Sequence, residues 1–130
     1  MRTVFNPSEK IFNALSTSAA NDINTLDIAA DPVHFWVIRK LWLSHDASGA
    51  TDFGNLPSSA ELLIKFGAAT EWQIQIHPGN GGTGSVEFEN GPWEWDFSPG
   101  LTEYDKNEAV AITLGAMGTG IVSTICILYS

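Results

Sequence analysis

The stretch EWQIQIHPGNGGTGSVEFENGPWEWDF, residues 71–97, decides the fold. Residues 71–77 alternate polar and apolar side chains, which is the period of a half-buried β-strand. Further on, Asn90-Gly91 separates two alternating segments, residues 85–89 and 92–97. Asn-Gly in this setting is a strong hairpin signal, because a type I′ turn needs positive φ at both central positions. The stretch therefore predicts three successive strands, of which the last two form a hairpin.

A two-residue turn also fixes which side chains of this hairpin share a face. One face is apolar and consists of Val86, Phe88, Trp93 and Trp95. The other face is acidic and consists of Glu87, Glu89, Glu94 and Asp96. Like charges opposite each other destabilise a sheet by about a few tenths of a kcal/mol per pair. This face is therefore either a solvated face that keeps the hairpin soluble, or a binding surface for a basic partner or a cation.

Length, composition and charge restrict the class of protein. The 130 residues correspond to one globular domain, with 44% apolar residues. The formal net charge is −9 with only six Lys and Arg, which argues against nucleic acid or an anionic membrane as a partner. Five Trp and seven Phe supply core and interface area, although such residues are also common in sugar-binding sites.

The N-terminal segment differs from the rest in its weak periodicity and its many Ser, Ala and Asn residues. We predict an arm over residues 1–24 and a β-sandwich domain over residues 25–130. A short helix over residues 7–15 is the alternative to an extended arm that becomes ordered against a neighbour. No apolar run has the length of a signal peptide core or of a membrane span, so neither is predicted.

Residues 33–44 carry apolar side chains at both even- and odd-numbered positions and are rich in β-branched and aromatic residues. This pattern predicts a strand that is covered on both faces. We assign one parity, Trp36, Ile38 and Trp42, to an interface with another subunit or partner. The other parity, assigned to the core, consists of Phe35, Val37, Leu41 and Leu43. The reverse assignment is the alternative.

About eight strands are predicted in all, centred near residues 30, 38, 64, 74, 87, 95, 112 and 125. The side chains expected to point inward from two of them are Leu62, Ile64, Phe66, Val110, Ile112 and Leu114. Ser98-Pro99-Gly100 is interpreted as a turn, and the apolar segment 121–129 as a central strand. Short strands separated by Gly and Pro indicate an all-β antiparallel sandwich, which we expect to be jelly-roll-like, with an immunoglobulin-like sandwich as second choice.

The sequence contains no convincing catalytic or metal-binding pattern. The motif Gly-x-Ser-x-Gly does not occur, and Cys126 lies in an apolar run where a thiol behaves as a small buried hydrophobe. The three His residues are too dispersed for a metal set. His45-Asp46 beside Asp52 comes closest to a site. We therefore predict no enzymatic activity, no metal and no cofactor.

The segment WVIRKLWLS at residues 36–44, together with VAITL at 110–114 and GTGIVS at 118–123, resembles small β-sandwich virion proteins of tailed bacteriophages. The resemblance is to capsid decoration (cement) proteins in particular. It implies a non-enzymatic structural protein, commonly a homotrimer, made in the host cytoplasm and bound to the capsid surface. Its implied partner is the major capsid protein or another virion protein, and no individual functional residue follows from the resemblance.

Two other functions remain compatible with the sequence. Trp36 and Trp42 form a sugar-stacking platform if both are exposed and coplanar, as in a carbohydrate-binding module or the receptor-binding tip of a tail fibre. A tail or neck component is the third possibility. The predicted partner-binding residues are Trp36, Ile38, Trp42, Glu87, Glu89, Glu94 and Asp96.

Overall fold

A computed structural model describes residues 10–19, 22–47, 60–76, 93–102, 107–116 and 121–130. These residues form eight β-strands: β1 (Phe12–Thr17), β2 (Asn24–Ile28), β3 (Ile38–Ala47), β4 (Ala60–Phe66), β5 (Ala69–Ile76), β6 (Trp93–Leu101), β7 (Val110–Leu114) and β8 (Ile121–Tyr129). No helix in the described ranges is long and apolar enough to cross a membrane.

The strands form two four-stranded antiparallel sheets. The first sheet has the order β1-β8-β3-β6 and the second the order β2-β7-β4-β5. The first strand of the chain thus pairs with the last, the second with the seventh, the third with the sixth and the fourth with the fifth. This is the strand order of a jelly roll, in which one long hairpin folds over on itself. The prediction of an eight-stranded jelly-roll-like sandwich is confirmed, and the immunoglobulin-like alternative has a different strand order.

The core lies between the two sheets and follows the predicted alternation in β4 and β7. All six predicted inward residues are buried: Leu62, Ile64, Phe66, Val110, Ile112 and Leu114. β8 lies between β1 and β3, as expected for a central strand, and adds Ile125 and Ile127 to the core. Each such side chain contributes about 1.5–3 kcal/mol of burial free energy.

The start of β3 corrects the assignment of Ile38. β3 begins at Ile38 rather than at residue 33, and a bulge between Ile38 and Lys40 shifts the pairing with β8. An inserted residue reverses the alternation of faces, so Ile38 points the same way as Leu41 and Leu43. Its side chain is 0% exposed. Ile38 is therefore a core residue and not a partner-binding residue, whereas Phe35, predicted as core, is exposed.

β6 corrects the predicted turn at Ser98-Pro99-Gly100. The strand continues through these residues to Leu101, which pairs with Ile38. Gly100 has a φ of 146°, and a Cβ at this position would collide with the side chain of Val37. The backbone here fits against its neighbour only because the residue is glycine. The other half of the predicted hairpin, residues 85–91, lies outside the described residues.

The N-terminal segment is extended, but part of it belongs to the sandwich. β1 pairs with β8 over its whole length, from Phe12 opposite Tyr129 to Thr17 opposite Thr124. The alternative prediction, a helix over residues 7–15, is therefore wrong for residues 12–15, which lie in β1. Residues 12–17 of the predicted arm, which was given as residues 1–24, therefore belong to the first sheet, and residues 1–9 lie outside the described ranges.

A test of the core compares two isoleucines on adjacent, paired strands. Ile64 is 0% exposed on β4, which lies between β7 and β5, and Ile74 is 36% exposed on β5, which is at the edge of its sheet among the described strands. We expect Ile64→Ala to lower the free energy of unfolding by about 2–5 kcal/mol, because it leaves a cavity in the core. Ile74→Ala should cost about 1 kcal/mol or less. Urea unfolding followed by Trp fluorescence measures both, and equal losses would contradict the described sheet packing.

Candidate functional site

The outer face of the first sheet carries a row of side chains that crosses all four strands. Leu15 on β1 lies opposite Cys126 on β8, Cys126 opposite Trp42 on β3, and Trp42 opposite Glu94 on β6. These side chains point away from the core because the neighbouring positions on each strand point into it. Leu15 is 65% exposed, and Cys126 and Trp42 are half-buried.

A second row runs beside the first on the same face. It consists of Asn13, Leu128, Lys40 and Asp96, again in cross-strand register. We call the apolar part of the two rows, Leu15, Cys126, Trp42 and Leu128, the outer patch. An open depression of about 420 Å³ lies over it and is lined by Asn13, Ala14, Leu15, Trp42 and Cys126. The patch is thus a shallow surface rather than a cleft.

Cys126 differs from its expected setting. The sequence predicted a small buried hydrophobe, whereas the side chain is half-buried and faces outward between Leu15 and Trp42. Successive side chains of a strand point to opposite faces of the sheet, and Ile125 and Ile127 on either side of Cys126 point into the core. Cys126 therefore contributes to the surface of the sheet.

Acidic side chains border the outer patch along β6. Glu94 and Asp96 are both about half exposed, as the predicted acidic face requires. Lys40 Nζ lies 3.2 Å from Glu94 Oε1 and 3.9 Å from Asp96 Oδ2. One ammonium thus faces two carboxylates, and exposed pairs of this kind contribute about 0–1 kcal/mol each. This border carries a net negative charge. The predicted partners of these carboxylates, Glu87 and Glu89, lie outside the described residues.

Trp36 does not share a surface with Trp42. Its indole N–H donates a hydrogen bond of 3.0 Å to the Ala29 carbonyl. Its ring packs edge-on against Tyr129 and Phe12, with centroid distances of 5.5 and 6.4 Å, and lies against the hydrophobic core. Since Trp42 faces outward from the sheet, the two rings form no common platform. Of the predicted site residues, the structure brings together Trp42, Glu94 and Asp96.

His45, the centre of the weak catalytic pattern, points into the sandwich. Its ring is 4% exposed and packs edge-on against Trp93 at a centroid distance of 5.3 Å. Burial lowers the pKa of His45 from 6.5 to about 4, because the charged imidazolium loses its hydration. Asp52 and the side chain of Asp46 are outside the described part of the chain. A ring buried in this way belongs to the core.

Asp31 and His34 form the other acid–histidine pair, in the connection before β3. Asp31 Oδ1 accepts the backbone N–H of Val33 at 2.8 Å and that of His34 at 3.1 Å, which lowers the pKa of the carboxyl. The His34 ring lies 3.3 Å from the same oxygen. These contacts hold a turn. Within the described ranges, no three His, Cys, Asp or Glu side chains are placed to share a metal ion.

Comparisons with known proteins concern the fold alone. No family model matches the sequence, and no curated protein matches it. Among solved structures, the chain is similar to PirA, with a TM-score of 0.45, 8% identity, and coverage of 93% of this chain and 97% of the other. It is also similar to a CBM4 structure (TM-score 0.42, 10% identity, 89% and 81% covered). It is also similar to the decameric BFDV capsid protein, with a TM-score of 0.33, 9% identity, and coverage of 92% of this chain and 98% of the other.

Of the four outer-patch residues, the sequence predicts only Trp42 as a surface residue. Leu15 falls in the predicted arm, Cys126 is predicted to be a small buried hydrophobe, and Leu128 belongs to a predicted strand whose faces are not assigned. A signal was present in β8, where Cys126 and Leu128 make the outward parity apolar as well as the inward one. Such a strand is covered on both faces or exposes apolar area.

The buried imidazole makes stability sensitive to acid. The folded pKa of about 4 lies below the ordinary value of 6.5, so between these pH values the unfolded chain binds the proton more tightly. The stability present above pH 6.5 is therefore lost as pH falls towards 4, by roughly 2–3 kcal/mol. Urea unfolding at a series of pH values measures this loss.

The matched variants are His45→Leu and His34→Gln. His45→Leu should flatten the fall in unfolding free energy between pH 6.5 and 4, because the buried imidazole that takes up the proton is gone. His34→Gln changes an exposed ring and should keep the fall. An unchanged slope in His45→Leu would assign the acid sensitivity to carboxylates instead.

Proposed function

We propose that the protein is a non-enzymatic virion structural protein of the capsid decoration type, which binds a capsid lattice through its outer patch. The observation that carries the proposal is the continuous apolar row Leu15–Cys126–Trp42 on the solvent side of a sheet. Isolated apolar side chains are normal on a protein surface, but contiguous ones are characteristic of contact sites.

The composition of the patch favours a protein partner. Trp is among the residues that contribute most to binding free energy in interfaces, where a ring at the centre is surrounded by less critical contacts. Here Trp42 lies at the centre of the row, with Leu15 and Cys126 on one side and Glu94 on the other. The shallow shape of the depression suits the flat surface of another protein.

Charge defines the partner further. The chain carries a net charge of −9, and Glu94 and Asp96 border the patch. A surface with an apolar centre and basic side chains facing β6 complements this arrangement, and opposite charges also raise the rate of association. The expected partner is accordingly the major capsid protein, or another virion protein, with such a surface.

The first test is the presence of the protein in particles. Virions produced by the genome that carries this gene are purified on a density gradient and probed with an antibody against the protein. We expect it to cosediment with the particles, with labelling on the capsid surface in immunoelectron microscopy. Labelling at the neck or tail would place the protein elsewhere in the virion, and absence from particles would overturn the proposal.

The second test addresses the patch itself. Trp42→Ala should weaken binding to particles that lack the protein by at least tenfold, since central interface residues contribute about 2 kcal/mol or more. Ile74→Ala, an exposed apolar residue on the second sheet, is the matched control and should bind as the wild type does. Equal binding by the two variants would exclude the outer patch as the contact.

A sugar-binding function is the second candidate, and Trp42 is the observation that favours it. Its half-buried ring lines an open depression that Asn13 also lines, and an aromatic face with a polar group in the same depression is a common arrangement for binding a sugar. Titration with a panel of soluble glycans, followed by Trp fluorescence, tests it. A saturable shift that Trp42→Ala abolishes would favour this function over lattice binding.

A further inference from the structure

The peptide bond between Asp31 and Pro32 lies in the connection between β2 and β3 and is the only Asp-Pro bond in the sequence. Two chemical properties set such a bond apart. The aspartate carboxylate can close a five-membered ring on its own main-chain carbonyl carbon, and carboxylates act as nucleophiles in several classes of enzyme. The proline nitrogen carries no hydrogen and leaves as a secondary amine. Pro32 is exposed, so water reaches this bond.

The fold places a hydrogen-bond donor on the carbonyl group of this bond. The Asp31 carbonyl oxygen accepts the backbone N–H of Asn107, in the connection before β7, at 2.7 Å. Asn107 has a φ of 60°, a left-handed conformation that Asn adopts more readily than most residues. The carbonyl oxygen becomes an oxyanion when its carbon is attacked, and a donor already in place stabilises that charge. Since the donor comes from a distant part of the sequence, the unfolded chain lacks it.

The Asp31 carboxylate is held in its ionised form. Within the described ranges its recorded contacts are all made by Oδ1, which accepts the N–H groups of Val33 at 2.8 Å and of His34 at 3.1 Å. The bond from Val33, followed by that from His34, lowers the pKa of the carboxyl. The carboxylate therefore remains a nucleophile at pH values at which an ordinary aspartate is protonated. Oδ2 is left for the attack.

The charged groups around Asp31 do not oppose this ionisation. The His34 ring lies 3.3 Å from Oδ1 and, when protonated, favours the carboxylate. The connection before β7 contributes the Asn107 amide, and the neighbouring Glu108 lies against Gly67 instead. Among the described residues, no second carboxylate contributes to the pKa of Asp31.

From these contacts we propose that Asp31-Pro32 is a self-cleavage site of the folded protein. Oδ2 of Asp31 attacks the Asp31 carbonyl carbon. The new C–O bond forms as the C–N bond to Pro32 breaks, and the proline nitrogen takes a proton from solvent. Water then hydrolyses the cyclic anhydride that remains and restores the Asp31 side chain next to a new α-carboxylate. One water molecule is consumed in all, and no other reactant is needed.

The sandwich should stay assembled after cleavage. Residues 1–31 contain β1 and β2, which pair with β8 and β7 of the other fragment. Leu15 of the outer patch then belongs to a fragment that only non-covalent contacts hold in place. The cleavage does not depend on the proposed virion role.

Mass spectrometry under denaturing conditions tests the proposal on the full chain, after incubation at a series of mildly acidic pH values. We expect two fragments, residues 1–31 and 32–130. Their rate of formation should rise as the pH falls, because the proline nitrogen leaves with a proton. At the same pH, the folded protein should cleave at least about tenfold faster than the protein in urea, since one oxyanion donor contributes about 10²–10³ in rate.

The matched variants are Asp31→Asn and Asp27→Asn. Asp31→Asn keeps an acceptor oxygen for Val33 and His34 but loses the anionic nucleophile, so it should cleave at least about tenfold more slowly. Asp27→Asn makes the same change at an exposed position of β2 and should cleave as the wild type does. Urea unfolding of both variants checks that they fold, and the comparison of folded and unfolded wild type needs no variant.

Three results would overturn the proposal. One is a chain that stays intact at every pH. Another is cleavage in urea as fast as in the folded protein, which would show ordinary acid lability of an Asp-Pro bond. The last is equal cleavage of Asp31→Asn and wild type.

Discussion

The pairing of the first strand with the last is the constraint on which the rest of the structure depends. β8 has β1 on one side and β3 on the other, so the chain's final strand holds its first sheet together. Besides the apolar core, hydrogen bonds join this strand pair to the second sheet. The buried amide of Asn24 donates to the carbonyls of Ser16 and Ser123 at 3.0 and 2.9 Å. Through these bonds the start of β2 is tied to both strands of the β1–β8 pair. A buried amide satisfied in this way favours one arrangement of the sheets over others.

The same pairing creates the outer patch. Trp42 belongs to β3, and its apolar neighbours come from β8 and β1. If β1 were a detached arm, Leu15 would not lie in the row and Cys126 would stand at an open edge. The candidate binding surface is therefore a consequence of the jelly-roll order, and it does not belong to any single segment of the sequence.

This explains how much the sequence could predict. Alternation along β4 and β7 gave the inward residues correctly, because each strand is regular and its faces follow from period alone. The outward facing of Glu94 and Asp96 followed from the same rule. Ile38 was misassigned because a bulge reverses parity, and a single sequence carries no clear sign of a bulge. Leu15 and Cys126 were missed because cross-strand neighbours depend on a register between distant segments.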